Sequence, residues 1–309
     1  MNTKIRSRRG VSIIVITKNR LAPLRRCITS ILSQTTHFDE CIIVDSSTDD
    51  KTQQFVLSLH DIKTSFRYIH EDTPGYAAAR NRGVEECRNQ WAAFTDDDCS
   101  LDHRWLEKML HVRIIHPHAA AFIGQSKSAN PRNSFSLAAQ YFELCWKLPA
   151  LKNKTIIDPE ILDTKNIMYN SRAFHQHRLK FKQERQNGKL LTTDDIDMGM
   201  QLWKHGYRMF YEENAVVYHD DPTVASTFFH KLLFDRFSYK QFARRWKKER
   251  TRLQHIRKKI PSQEILQHVF AIYHTPWHLR IATRLIIIYS NLLITLNEHQ
   301  KPAGAYEIR

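Results

Sequence analysis

Apolar and polar positions along this chain alternate between two periods. Residues 11–17 read VSIIVIT, an unbroken β-branched run. Such a run suits a strand buried on both faces of a parallel sheet. Behind it, Leu24, Cys27, Ile28, Ile31 and Leu32 recur at helical spacing, with Pro23 fitted to the first turn. CIIVD is a second short strand, and the SSTDD after it offers caps for a helix through KTQQFVLSLH. SFRYIH predicts a third strand. TPGYAAARNRGVEECRNQ begins with a Pro-Gly turn and continues as an Ala-rich helix. WAAFT then predicts a strand and DHRWLEKMLHV a helix. The order β-α-β-α-β-α-β-α predicts an α/β fold: a mostly parallel sheet flanked by helices on both faces.

That order places chemistry. In open α/β sheets, ligands bind beyond the carboxyl ends of the strands. Thr17 and Arg20 follow the first strand, Asp45 ends the second, and Asp96, Asp97 and Asp98 end the strand at Phe94. Three adjacent carboxylates repel one another unless a cation sits among them. Carboxylate oxygens suit Mg²⁺ or Mn²⁺, which would bridge to the oxygens of a diphosphate. Neither a GxGxxG nor a Walker sequence is present, which argues against a dinucleotide or P-loop site.

Several pieces occur in order: VSIIVITKNR, CIIVDSSTDD, GYAAARNRGV, AAFTDDDC, NIMYNSRAF and TTDDIDMGMQLWKHGYRMFYEENAVVYH. Over roughly residues 11–220 they make the chain resemble glycosyltransferase family 2, with its GT-A fold. The resemblance implies an inverting glycosyltransferase that moves a sugar from a nucleoside-diphosphate sugar, most often a UDP-sugar, to an acceptor hydroxyl. Asp45 then matches the aspartate that contacts the base. Thr17 and Arg20 border the nucleotide, and Arg80 and Asn81 match an ARN that helps hold the donor. Asp96 and Asp98 form a DxD, with Asp96 on hydroxyls or metal, Asp98 on metal, and Asp97 on the donor sugar. Asp195 matches the catalytic base. Asp194 stands where glutamate is usual and Met200 where arginine is usual. His219 matches a histidine that completes the metal site. Asn166 matches a loop near the acceptor, with Lys165 in place of a common glycine. The chemistry itself asks for two carboxylate sets, one for the acceptor proton and one for charge growing on the leaving diphosphate.

Charge and composition extend the picture. The chain of 309 residues carries a net +15. Residues 1–10 hold Lys4, Arg6, Arg8 and Arg9 and no acid. Residues 231–260 hold twelve Lys/Arg against Asp235 and Glu249. Tyr239, Phe242, Trp246, Leu253 and Ile256 fall near one stripe of that stretch, so it reads either as an amphipathic basic helix for an anionic membrane surface or as a solvated face over a core seam. The later run from Ile281 to Leu296 contains Arg284 and Asn291. It falls short of the ~20 apolar residues of a span and predicts a helix packed on the domain or lying in an interface. The expected organisation is a basic arm at 1–10, a catalytic domain at 11–225 and a helical extension at 226–309. The N-terminus lacks the pattern of a signal peptide, and five scattered cysteines without a CxxC suggest neither zinc nor a disulfide framework. A cytoplasmic enzyme, peripheral on a membrane, follows, with a surface glycan, lipid-linked or other hydroxyl acceptor. Two other classes stay open: a nucleotidyltransferase or related nucleotide-sugar enzyme, and a basic nucleic-acid-binding protein, which would leave the strand-end aspartates unexplained.

Overall fold

The computed structural model describes residues 10–59, 65–151, 158–186, 188–253 and 260–299. The basic arm before Gly10 lies outside them, as does Ile256 of the expected stripe. In chain order the elements are β1 (Val11–Thr17), α1 (Leu21–Leu32), β2 (Glu40–Asp45), α2 (Lys51–Leu57), β3 (Ser65–His70), α3 (Tyr76–Glu86) and β4 (Trp91–Asp96). Then come β5 (Cys99–Leu101), α4 (Trp105–Ile115), β6 (Ala121–Ser128), α5 (Ser134–Leu151), β7 (Ile167–Asn170), α6 (Ser171–His177) and the small hairpin β8 (Arg185–Gln186) and β9 (Lys189–Leu190). The rest is α7 (Asp194–Lys204), β10 (Met209–His219), α8 (Ala225–Arg245), α9 (Lys247–Leu253), α10 (Ser262–Ile272) and α11 (Trp277–His299).

The large sheet runs β3-β2-β1-β4-β7-β6-β10-β5. β1 to β4 are parallel as expected, and β6 pairs parallel with β10. Periodicity foresaw none of β5, β6, β7 and β10; of these, β7 inserts antiparallel between β4 and β6, and β5 pairs antiparallel with β10 at the sheet edge. Alternation along β1 explains the three layers. Ile13 and Val15 pack with Leu24, Cys27, Ile28 and Ile31 of α1 and with Trp105 and Met109 of α4. Ile14 and Ile16 face Ala77 and Val84 of α3 and Met198 and Leu202 of α7. Gly83 permits the close approach of α3, since a Cβ there would sit 2.5 Å from Ile14 Cγ2. Leu32, expected on the buried stripe, is the last residue of α1 and is 42% exposed. The register lines up Thr17, Asp45 and His70 across three strands, with Asp96 opposite Ile16.

The C-terminal helices are not a detached appendage. α5, from the expected catalytic segment, shares a core with α8, α10 and α11 through Leu137, Leu144, Phe228, Val269, Phe270 and Ile287. The stripe of α8 and α9 also faces inward: Phe242, Trp246 and Leu253 are buried with Met200 of α7, and Tyr239 packs against them. This explains Met200, which meets apolar rings where an arginine would be stranded. Arg245 pairs with Asp197 at 2.7 Å and with Glu184, and Arg250 with Glu160 at 2.6 Å. Tyr239, Phe242 and Trp246 of this stretch therefore meet protein. All five cysteines are free thiols.

Candidate active site

The aspartate run after β4 closes around cations. Thr17, the last residue of β1, donates its hydroxyl to Asp97 Oδ2 at 2.7 Å. Arg20, just ahead of α1, forks between two carboxylates: Nη1 lies 2.9 Å from Asp97 and Nη2 2.8 Å from Asp98. A planar guanidinium suits such a double contact. Burial pushes the Asp97 carboxyl up to about 7, with Arg20 and Thr17 opposing. Burial also resists ionisation of Asp98, but His219 and Arg20 outweigh it and hold that carboxyl below its ordinary range. Neighbouring identical groups are thus set apart by their surroundings.

Asp96 belongs to a second set. Burial raises its carboxyl, and Arg80 of α3 opposes the rise from 3.8 Å away. Arg80 is buried, and its Nη1 lies 2.6 Å from Asp194, the first residue of α7. Asp194, Asp195 and Asp197 occupy the first turn of α7, where the helix dipole favours negative charge. One arginine therefore joins the strand-end aspartates to the second acidic cluster, far away in sequence. Burial and then the adjacent Asp194 push the Asp195 carboxyl up to about 7, against Arg80. The buried Tyr169 hydroxyl makes no hydrogen bond, and burial and then Asp195 raise it further above the ordinary phenol range. Neither Arg80's bridging position nor Tyr169's was legible from spacing.

His219 ends β10, and β5 lies beside it. Its Nδ1 is 2.8 Å from Asp221 Oδ1, and its Nε2 is 3.6 Å from Asp98 Oδ1. Burial opposes a charged ring, but Asp221 outweighs it and raises the imidazole above its usual value. A carboxylate on one ring nitrogen leaves the other for a metal. Asp98 Oδ1 is buried without a hydrogen bond. A carboxylate oxygen without a hydrogen bond, facing an oriented imidazole nitrogen, fits a divalent cation. Asp96 is not joined to this pair. Among the described residues, no three carboxylate, thiol or imidazole groups gather around one point. Asp221, two residues past the strand end, was the partner that sequence reasoning missed.

Three other expected residues are engaged within the protein. Asp45 is fully buried; Ser47 donates to its Oδ1 from N at 2.9 Å and from Oγ at 2.5 Å, and Tyr68 donates to Oδ2 at 3.1 Å. Asn81 bonds the Phe181 backbone both ways, at 2.8 Å each, so its amide braces that segment. Asn166 is a correction. It is wholly buried; it donates to the carbonyls of Gln125 and Ala215 at 2.9 Å each, and it accepts from Trp105 Nε1 at 2.7 Å. Ala215 lies in the irregularity of β10 between Glu212 and Val216, so Asn166 satisfies a bulge rather than an acceptor. Gly124 leaves room for it, since a Cβ there would come within 2.4 Å of the amide. Lys165, in place of the common glycine, pairs with Asp163 at 2.8 Å and Glu143 at 3.0 Å. Lys147 of α5 shares both acids. The local loop is thus pinned to α5 by a half-buried charge cluster.

With this geometry in hand, the sequence profile of glycosyl transferase family 2 matches residues 12–178, more than half of the chain. The chain belongs to glycosyl transferase family 2. A putative glycosyltransferase EpsH of Bacillus subtilis (strain 168) is 31% identical over 101 residues, covering 33% of this chain and 29% of that one. A pre-mycofactocin glycosyltransferase of Mycobacterium tuberculosis is 26% identical over 226 residues, covering 70% of this chain and 44% of that one. The match spans less than half the length of these curated relatives. Staphylococcus aureus TarS 1-349 in complex with UDP-GlcNAc has a similar fold, with a TM-score of 0.56 at 16% identity over 94% of this chain and 92% of that one. Mannosyltransferase PcManGT from Pyrobaculum calidifontis, in complex with GDP-Man and Mn²⁺, gives 0.55 at 16% over 96% and 78%. The family 2 chain has the GT-A fold, with its C-terminal helices present.

Proposed function

We propose that this chain is a metal-dependent inverting glycosyltransferase that moves a sugar from a nucleoside-diphosphate sugar to an acceptor hydroxyl in a surface glycan or its lipid-linked precursor. The observation that carries the reading is the Arg80 bridge, which sets a carboxyl held near neutrality, Asp195, beside the strand-end aspartates. A general base works best when its pKa lies close to the working pH. Asp195 accepts the acceptor's proton at its carboxylate oxygen as the hydroxyl attacks the anomeric carbon. Asp194 holds Arg80 in place and, by its own charge, keeps Asp195 basic. Arg80 stabilises negative charge between the two sets. On the leaving side, Asp98 and His219 would hold the divalent cation, Mn²⁺ or Mg²⁺, with Asp96 the third expected ligand. When bound, it supplies positive charge for the departing diphosphate. Arg20 lies among the same aspartates, suited to a phosphate oxygen as well as to a carboxylate. The UDP-GlcNAc and GDP-Man in the complexes of similar fold support a nucleoside-diphosphate sugar as donor, and a uridine nucleotide is the donor we propose.

The deciding experiment is Asp195→Asn. It keeps size and hydrogen bonding but cannot take the proton. Loss of a general base costs ~10²–10⁴ in rate. Transfer should fall by that factor, while calorimetry shows donor binding preserved. In the wild type, transfer should rise with pH through about 7 as Asp195 ionises. Near-normal transfer by the variant would remove Asp195 from the mechanism.

A further inference from the structure

The last described helix, α11, has two unlike faces. Ile287 belongs to the core it shares with α5 and α10, and Thr283 and Ser290 are fully buried. Opposite them, Trp277, Ile281, Leu285, Ile288, Leu292 and Leu296 are between 50% and 74% exposed. Their spacings of four, four, three, four and four place them within an arc of about 100°. From Trp277 to Leu296 this stripe is ~29 Å long at the helical rise. Isolated exposed apolar residues need no explanation, but a continuous row of six does.

Charge identifies the occupant. Residues 277–296 contain no aspartate or glutamate. Arg280 and Arg284 are exposed along one edge of the stripe, each with its guanidinium over the Phe270 ring of α10, at 5.7 and 5.4 Å. Tyr289, 51% exposed, borders the other edge and packs on Phe229 of α8. A second copy of this face would set arginine rows together with no acid in the stripe to pair them, whereas anionic headgroups complement them. The helix is long and apolar enough to cross a bilayer by composition. Its buried face is bound to α5 and α10, however, so it is held along the domain rather than free to span.

We propose that α11 is an interfacial helix that lays this stripe into an anionic lipid surface, its axis in the membrane plane. Apolar burial anchors it, and Arg280 and Arg284 select the charge of the headgroups. The site lies outside the proposed transfer machinery and does not depend on it. It also moves membrane contact away from Tyr239 and Phe242 of α8, which face the core.

The full chain is tested by sedimentation with vesicles of phosphatidylcholine containing about a third phosphatidylglycerol, and with pure phosphatidylcholine. The wild type should pellet with the first and be released at high salt. The triple variant Leu285→Gln, Ile288→Gln, Leu292→Gln should partition about tenfold more weakly, with its thermal midpoint kept because all three side chains are exposed. Trp277→Gln alone should weaken binding in the same direction. Unchanged partition in both variants overturns the proposal. So does equal binding of the wild type to the two vesicle types, or a wild-type oligomer that binds neither vesicle and becomes monomeric in the triple variant. That last outcome would make the stripe a contact between copies.

Discussion

Removing Arg80 tests the joint between the two acidic clusters. In the folded chain its guanidinium lies 2.6 Å from Asp194, with the two side chains only 9% and 3% exposed. Arg80→Met keeps the length and apolar bulk of the side chain and leaves the buried Asp194 carboxyl without its cation. Breaking a buried pair by removing one partner costs ~3–5 kcal/mol. At ~2–4 °C per kcal/mol for a domain of this size, the thermal midpoint should fall by roughly 6–20 °C. The double variant Arg80→Met, Asp194→Asn should recover much of that loss, because the stranded charge is gone. A kinetic effect separates this from plain destabilisation. Arg80 opposes the rise of the Asp195 carboxyl, so without it the base ionises at higher pH and the acid limb of the transfer rate moves upward from about 7. The assays are scanning calorimetry and a pH–rate profile of single and double variants. A loss under ~1 kcal/mol in the single variant, with no recovery in the double and an unmoved acid limb, would refute a buried bridge between the clusters.

Three further outcomes follow from the same geometry. Asp98→Ala should abolish the divalent-ion dependence of nucleotide-sugar binding, measured by calorimetry with and without Mn²⁺; unchanged dependence would move the ion elsewhere. Asn166→Ala should destabilise the fold by ~2 kcal/mol or more, since it strands Trp105 Nε1 and two carbonyls, while equilibrium donor binding at a temperature where the variant is folded stays within about twofold of the wild type. A large loss of donor affinity with little destabilisation would return Asn166 to the site. Asp97→Asn should stabilise the metal-free protein at pH 8 and not at pH 4. A carboxyl whose pKa is raised on folding binds its proton more tightly in the folded state, so its contribution declines as pH rises from the unfolded value of ~4 toward the folded value of about 7. Denaturant unfolding at the two pH values reads the difference, and an equal change at both would mean that burial does not raise Asp97.

The proposed division of labour also accounts for the departures from the family pattern. Met200 is apolar because α8 and α9 cover it with Phe242 and Trp246. Lys165 stands in a glycine position because α5 supplies Glu143 and, with Asp163 beside it, closes a half-buried set of four charges that includes Lys147. These two departures are answered by α8, α9 and α5, which pack from other parts of the chain.

Local signals determined β1 to β4, α1 to α4 and the sheet edge where the aspartates stand, but not the strands β5, β6, β7 and β10 that complete the sheet. Periodicity is a property of neighbours in sequence, and the parallel order of β1, β2 and β4 sends their carboxyl ends to one side whatever the details. The family resemblance and the chemistry of transfer, not spacing, singled out a second acidic cluster. What packing alone decided is what each polar group touches. Arg20 caging Asp97 and Asp98 and Arg80 joining Asp96 to Asp194 depend on contacts between elements remote in sequence, and Asp221, though only two residues from His219, reaches its ring because of the turn the chain takes after β10. The pattern around Asn166 fitted a ligand-binding loop, yet tertiary closure enclosed it beneath a bulge in β10, where unsatisfied carbonyls needed a donor. The two amphipathic C-terminal stretches read alike in sequence. Only the fold distinguished them, because a hydrophobic stripe specifies that a face must be covered and not by what: α8 and α9 turn theirs to the catalytic core, and α11 keeps one outside.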